Sequence, residues 1–206
     1  MLKFFYSNGS SALAAHILLE EVGAAYEAIE VSISGREHRK PEFLERNPKG
    51  RIPVLETPDG VITENPAILE FIAATHPQAG CLPVGAFDRA QARSLAAYLC
   101  ATVHVAFAHI RRGYRWADDD ASLCDMKRVA PRNLAACAEL LEKDLALSPW
   151  AIGSAYSYCD PYLFLLGRWL SAGDVSLDAT PRLTAHRDAM LARPATQKIL
   201  ALHRLG

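Results

Sequence analysis

Asn47-Pro48-Lys49-Gly50-Arg51-Ile52-Pro53-Val54-Leu55 sets two prolines and a glycine against a short apolar run. Pro48 and Gly50 punctuate a turn. Ile52, Val54 and Leu55 have strand chemistry, yet Pro53 among them has no N–H to give a ladder. A cis Ile52–Pro53 bond reconciles the two, because an X-Pro peptide adopts cis at small cost. It would leave the N–H and C=O of Ile52 open at a strand entrance, which is a docking edge for an extended peptide. An ordinary loop-to-strand junction is the other reading of the same residues.

Downstream, Pro58-Asp59-Gly60 is a hairpin turn into a strand over 61–63. Glu64 or Asn65 then caps a helix that starts at Pro66 and buries Ile68, Leu69, Phe71 and Ile72. Upstream, Leu2 to Tyr6 is a short apolar, aromatic run that suits a strand. Ser7-Asn8-Gly9-Ser10-Ser11 is a turn rich in capping residues. Ala12, Leu13, Ile17, Leu18 and Val22 recur at helical spacing, and Gly23 closes the helix. Tyr26 to Val31 alternates as a second strand, and Pro41 opens a short helix. The order β-α-β-α-β-β-α implies a parallel pair with a crossover helix, followed by an antiparallel hairpin. That is a thioredoxin-like arrangement, expected over residues 1–76.

Residues 77–86 read as a linker by their Pro and Gly content. Beyond it, over 87–206, only helical patterns occur, so the second domain is expected to be all-α. One long helix is expected from Asp88 to Arg112, and another from Ser122 to Leu147 with a kink or break at Pro131. Ser157-Tyr158-Cys159-Asp160 matches a capping box. The apolar run Tyr162 to Leu166 behind it marks the central buried helix, and two more helices follow, from Pro181 and from Pro194.

The chain has 206 residues, half of them hydrophobic, and a net charge of −1. Disorder and a nucleic-acid footprint are both disfavoured. No apolar run approaches the length of a bilayer span, and Met1 to Tyr6 is too short for a signal-peptide core. A cytosolic protein without membrane attachment is the expectation. Five cysteines without a CxxC pair argue against a disulfide framework and against a zinc site.

Taken together, this layout resembles the cytosolic glutathione transferase family over essentially the whole chain. Asn47 to Leu55 is similar to that family's Asn-Pro-x-Gly-x-[Val/Ile]-Pro-x-Leu segment with its cis proline. Thr63-Glu64-Asn65-Pro66-Ala67-Ile68 resembles its Glu-Ser-x-Ala-Ile segment, and Ser157 to Asp160 resembles its capping box. The opening Phe5 to Ile17 most resembles the bacterial beta class, in which a cysteine stands where this chain has Ser11.

The resemblance implies how glutathione, an extended tripeptide, would be held. Ile52, preceding Pro53, pairs its backbone with the cysteinyl unit. Glu64 holds the γ-glutamyl amine. Asn65 holds the γ-glutamyl carboxylate at a helix N-terminus, where anions are favoured. A hydroxyl then stabilises the thiolate, with Ser11 placed before Ser10 and Ser10 before Tyr6. Plain helix capping is the competing role for both serines and for Asn65. Val103 to Phe107 resembles the beta-class piece that carries an active-site histidine, which points to His104, although Val105 stands where that class has lysine. The implied activity is transfer of the glutathione thiolate to hydrophobic electrophiles by a homodimer. Glutathione serves as co-substrate, with no metal or organic cofactor. A non-catalytic glutathione- or conjugate-binding protein of the same fold is the alternative. A thiol oxidoreductase is disfavoured by the lack of a cysteine in the first turn.

Overall fold

A computed structural model describes residues 1–145, 147–173, 175–176 and 179–205. The chain divides into two compact units, Met1–Val84 with Met190–Gly206, and Gly85–Ala189.

The first unit opens with β1 (Leu2–Tyr6), α1 (Ala12–Glu21), β2 (Tyr26–Glu30) and α2 (Pro41–Leu44). β3 (Val54–Thr57), β4 (Gly60–Thr63) and α3 (Asn65–Thr75) complete the expected order. The four strands run in the order β2-β1-β3-β4. β1 pairs in parallel with β2 and antiparallel to β3, and β4 returns antiparallel beside β3. This is the thioredoxin-like sheet that the sequence predicts.

Alternation along β1 serves both faces of the sheet. Phe4 lies opposite Leu55 and is fully buried, as are Leu13, Ile17 and Leu18 of α1 and Ile68, Leu69 and Ile72 of α3. Phe5 faces the other way and forms a smaller cluster with Val31, Phe43 and Val54, against which Ile29 and Ile52 pack. Each fully buried aliphatic side chain in these layers contributes about 1.5–3 kcal/mol. Ile52 is therefore anchored by its side chain, which fixes where its main chain lies.

Between α2 and β3 the chain turns through Asn47–Gly50. Asn47 is almost fully buried. Its Nδ2 donates to Arg51 O at 2.7 Å, and its Oδ1 accepts from Lys49 N at 3.2 Å. Gly50 has φ +56°, and a Cβ there would stand 2.8 Å from Arg39 Nη1 and 3.0 Å from His38 O. Only glycine fits. The Ile52–Pro53 peptide that follows is cis.

The second unit holds α4 (Ala86–Tyr98), α5 (His104–Arg112), α6 (Asp120–Asp144) and α7 (Asp160–Ala172), and α8 (Pro181–Leu191) as far as Ala189. One long helix was expected over Asp88 to Arg112. Instead a π-helical turn, Leu99–Val103, separates α4 from α5. Pro131 lies inside α6, which continues past it, so of the kink or break expected there the break does not occur. α7 is the buried helix anticipated: Tyr162 through Leu166 are all at most 1% exposed.

The domain boundaries differ from expectation at the C-terminus. The sequence reading places residues 190–206 in the helical domain, whereas α9 (Pro194–Leu202) groups with the first unit and packs on α1. Arg193 pairs with Glu21 through both guanidinium Nε and Nη2, and Lys198 Nζ reaches Glu20 Oε1 at 2.5 Å. Ile199 and Leu200 supply the apolar contact, at 2% and 5% exposure.

Candidate functional site

The turn Ser7–Ser11 joins β1 to α1. Ser10 N–H and Ser10 Oγ both donate to Ser7 O, at 3.1 and 2.7 Å. Ser10 Oγ also accepts from Ala12 N at 3.3 Å, so its hydroxyl is spent inside the turn. Ser11 is different. It occupies the N-cap of α1 but makes no side-chain cap bond. Its Oγ donates to Ile52 O at 3.2 Å, across 41 residues of sequence. The sheet therefore places the Ser11 hydroxyl against the main-chain segment expected to hold the cysteinyl unit. Ile52 N–H donates to no group among the described residues. Of the two main-chain groups expected to be open, one is free and the other is held by an exchangeable hydroxyl.

Asn65, at 5% exposure, is the first residue of α3. Its Nδ2 donates to Ser11 O at 2.8 Å, tying the start of α3 to the start of α1. The acceptor is a carbonyl, which fixes the amide orientation. Asn65 Oδ1 is buried without a partner. That atom can only accept, so it does not suit a carboxylate. The anion-binding capacity of α3 lies instead in its main chain: Pro66 has no N–H, which leaves those of Asn65 and Ala67 at a helix end that has no side-chain cap.

Glu64 precedes them with φ +73° and ψ +126°, a conformation that strains any residue with a Cβ by about 1–3 kcal/mol. Its carboxylate is half-exposed and accepts from Lys49 Nζ at 2.5 Å; the same ammonium donates to Thr63 Oγ1 at 2.6 Å. Lys49 is the residue sequence reasoning passed over. It occupies the variable place of the Asn-Pro-x-Gly turn, and nothing in the sequence connects it to Glu64.

Tyr6 closes β1, with its side chain at 6% exposure. Its ring sits 4.8 Å from that of His16 and 4.9 Å from that of His203. Burial, and then the Glu30 carboxylate, push the phenol above its usual range, with Arg204 opposing them. Tyr6 thus stays protonated and is a poor acid. Behind it, His16 Nδ1 and His203 Nε2 share one hydrogen at 2.9 Å. Burial drives both rings neutral, to about 3 for His16, where the His203 charge adds to the effect, and to about 4 for His203.

Ser11, Ile52, Pro53, Glu64 and Asn65 thus belong to one unit and converge where β1 and β3 meet the first turns of α1 and α3. Ser10 and Tyr6 flank them, Ser10 in the turn and Tyr6 among rings. His104 belongs to the second unit, at the start of α5, where its ring lies 4.9 Å edge-on to Trp169.

Known proteins agree with this architecture. Residues 2–74 match the profile of the family described as glutathione S-transferase, N-terminal domain. A glutathione transferase homologue from Sulfitobacter, solved with bound glutathione, superposes with a TM-score of 0.94 at 37% identity over 98% of each chain. A bacterial beta class glutathione S-transferase from Sphingomonas chungbukensis gives 0.86 at 31% identity, over 99% of this chain and 100% of its own. A maleylacetoacetate isomerase from Rhizobium meliloti is 30% identical over 190 residues, covering 87% of this chain and 86% of its own. With its thioredoxin-like unit, its helical unit and these likenesses along nearly its full length, the chain belongs to the glutathione S-transferase family.

Proposed function

We propose that the protein binds glutathione on its first unit and transfers the thiolate to an electrophilic carbon of a hydrophobic molecule. The observation that carries this reading is the Ser11 hydroxyl on Ile52 O at 3.2 Å. A cysteinyl unit that pairs with the Ile52 main chain takes over that carbonyl with its own N–H. The displaced hydroxyl is then beside the incoming sulfur and donates to it. A donor there, at the N-terminus of α1, favours the thiolate over the thiol, whose ordinary pKa is near 8.5. The α3 main-chain N–H groups receive the γ-glutamyl carboxylate, and Glu64 exchanges the Lys49 ammonium for the ligand's amine.

In the reaction the thiol proton leaves to solvent and the sulfur lone pair forms the S–C bond. The electrons of the broken bond depart with the leaving group or pass into an acceptor double bond. Ser11 acts by holding charge on sulfur, and the peptide contacts by orienting it. We read the protein as a cytosolic homodimer that needs no metal or organic cofactor. Retention on immobilised glutathione, followed by turnover of a chloronitrobenzene-type electrophile, tests the proposal. Retention without turnover makes it a binding protein.

The isomerase likeness supports a second reading with the same first step. If the thiolate adds to a conjugated double bond and is then expelled after rotation, the product is an isomer and glutathione returns unchanged. Following glutathione consumption beside product formation separates the two.

A further inference from the structure

The C-terminal end of α9 carries a residue that neither the fold nor the proposed chemistry has used. Arg204 has φ +56°. Its N–H donates to Ala201 O at 3.0 Å, and Leu205 N–H donates to Leu200 O at 2.9 Å. This is the Schellman ending, and its left-handed position is ordinarily glycine because a Cβ is unfavourable there. Here the position is filled by arginine. A residue kept in a conformation its side chain opposes points to a use for the side chain.

Its neighbours fasten it beside the thiol-site turn. The His203 ring lies 4.9 Å from that of Tyr6 and is hydrogen-bonded to His16. Leu205 Cδ2 lies 3.8 Å from where a Cβ on Gly9 would stand. Between these two anchors Arg204 is exposed. Arg193 and Lys198, the other cations of this segment, pair with Glu21 and Glu20. Arg204 has no ion-pair partner among the described residues. The Glu30 carboxylate, whose charge also reaches Tyr6, accepts from Asn8 Nδ2 at 2.8 Å. The Arg204 charge is felt at the hydroxyl of Tyr6, which ends β1 just before the Ser7–Ser11 turn.

We propose that Arg204 is a carboxylate-recognition residue of the thiol site, placed there by the His203 and Leu205 anchors on either side of it. This rests on glutathione occupying the first unit. The carboxylate comes either from glutathione itself or from the molecule joined to its sulfur.

Titration calorimetry on the full chain separates the sources without needing turnover. The ligands are glutathione, its glycyl ethyl ester, S-benzylglutathione and S-(4-carboxybenzyl)glutathione. Wild type, Arg204→Gln, Arg204→Lys and Arg204→Gly are compared. If the carboxylate belongs to the sulfur substituent, Arg204→Gln weakens the carboxybenzyl conjugate by roughly fivefold to tenfold and leaves the benzyl conjugate unchanged. If it belongs to glutathione, the same loss falls on glutathione and is absent for the ester. Arg204→Lys retains most of the affinity in either case. Arg204→Gly loses it while its melting midpoint rises by roughly 2–4 °C, because glycine suits the left-handed position. A residue serving structure alone would not trade affinity for stability in this way. Affinities within twofold of wild type for all four ligands overturn the proposal. Failure of the wild type to bind glutathione overturns it together with the reading beneath it; binding without turnover removes only the transferase activity.

Discussion

Ser157 at the start of α7 and Ser11 at the start of α1 are both buried serines beside a helix N-terminus, and their hydroxyls have opposite commitments. Ser157 Oγ donates to Asp160 Oδ2 at 2.9 Å and accepts from Cys159 N at 3.3 Å. Asp160 also accepts from Ser157 N at 2.6 Å, from Ala151 N at 2.7 Å and from His186 Nε2 at 3.0 Å. Nothing there is left for a ligand. Ser11 makes no cap bond, and its proton goes instead to the Ile52 carbonyl just ahead of β3. A cap whose atoms all have local partners holds the fold. A hydroxyl parked on a distant carbonyl can be exchanged, and exchange is what ligand binding requires.

The largest effect that would test this contrast is at the committed cap. Asp160→Ala leaves the buried N–H groups of Ser157 and Ala151, and the ring of His186, without their acceptor. A loss of about 3–5 kcal/mol is expected, read as a lower urea midpoint. A change below about 1 kcal/mol would show that water can replace the carboxylate and that the cap is not consumed by the fold.

Ser11→Ala is expected to behave in the opposite way. Stability shifts by less than about 1 kcal/mol, since only one long, partly exposed hydrogen bond is lost. Turnover with saturating glutathione falls by roughly 10², the usual cost of one charge-stabilising donor. Turnover that survives Ser11→Ala and disappears in Tyr6→Phe would move the donor to Tyr6, and with it the distinction drawn here.

The histidine pair is a third, intermediate case: buried, joined by one shared hydrogen while His16 Nε2 and His203 Nδ1 have no partner among the described residues, and sensitive to pH. Both rings have folded pKa values below the ordinary 6.5, at about 3 and about 4. The unfolded chain therefore binds more protons between these values and 6.5. The stabilisation is complete above pH 6.5 and is lost as pH falls toward 4 and then 3, at about 1.4 kcal/mol per pH unit for each ring. Urea midpoints measured from pH 7 to pH 4.5 should fall steeply in wild type and with a shallower slope in His203→Gln. Equal slopes would mean that the pair does not couple α9 to α1.

The contrast also explains what the sequence could and could not reveal. Turn residues and periodicity located every strand, because β1, β3 and β4 are short runs bounded by Gly, Pro or Ser. Ser11, Ile52, Glu64 and Asn65 stood out because local motifs carry them. Lys49 did not, because its partners lie 14 and 15 residues away and a lysine in a turn looks like solvated charge. The place of α9 was also hidden: spacing shows that Ile199 and Leu200 share an apolar face, but not which unit that face meets. The π turn escaped for a similar reason. Leu95, Leu99 and Val103 repeat every four residues, a pattern that an unbroken α-helix shares with one carrying a π turn.

Ser10 gives the smallest and most discriminating effect. Its hydroxyl accepts from Ala12 N and donates to Ser7 O, so Ser10→Ala removes the only side-chain cap of α1 among the described residues. About 1 kcal/mol of stability should go with it. Turnover should stay within about twofold, since a hydroxyl held at both ends has no proton to offer a thiolate. The two adjacent serines then divide cleanly, Ser10 affecting the melting midpoint and Ser11 the rate. If Ser10→Ala instead lowers turnover as far as Ser11→Ala at unchanged stability, the turn must rearrange when ligand binds, and the hydroxyl commitments of the free protein do not carry over to the complex.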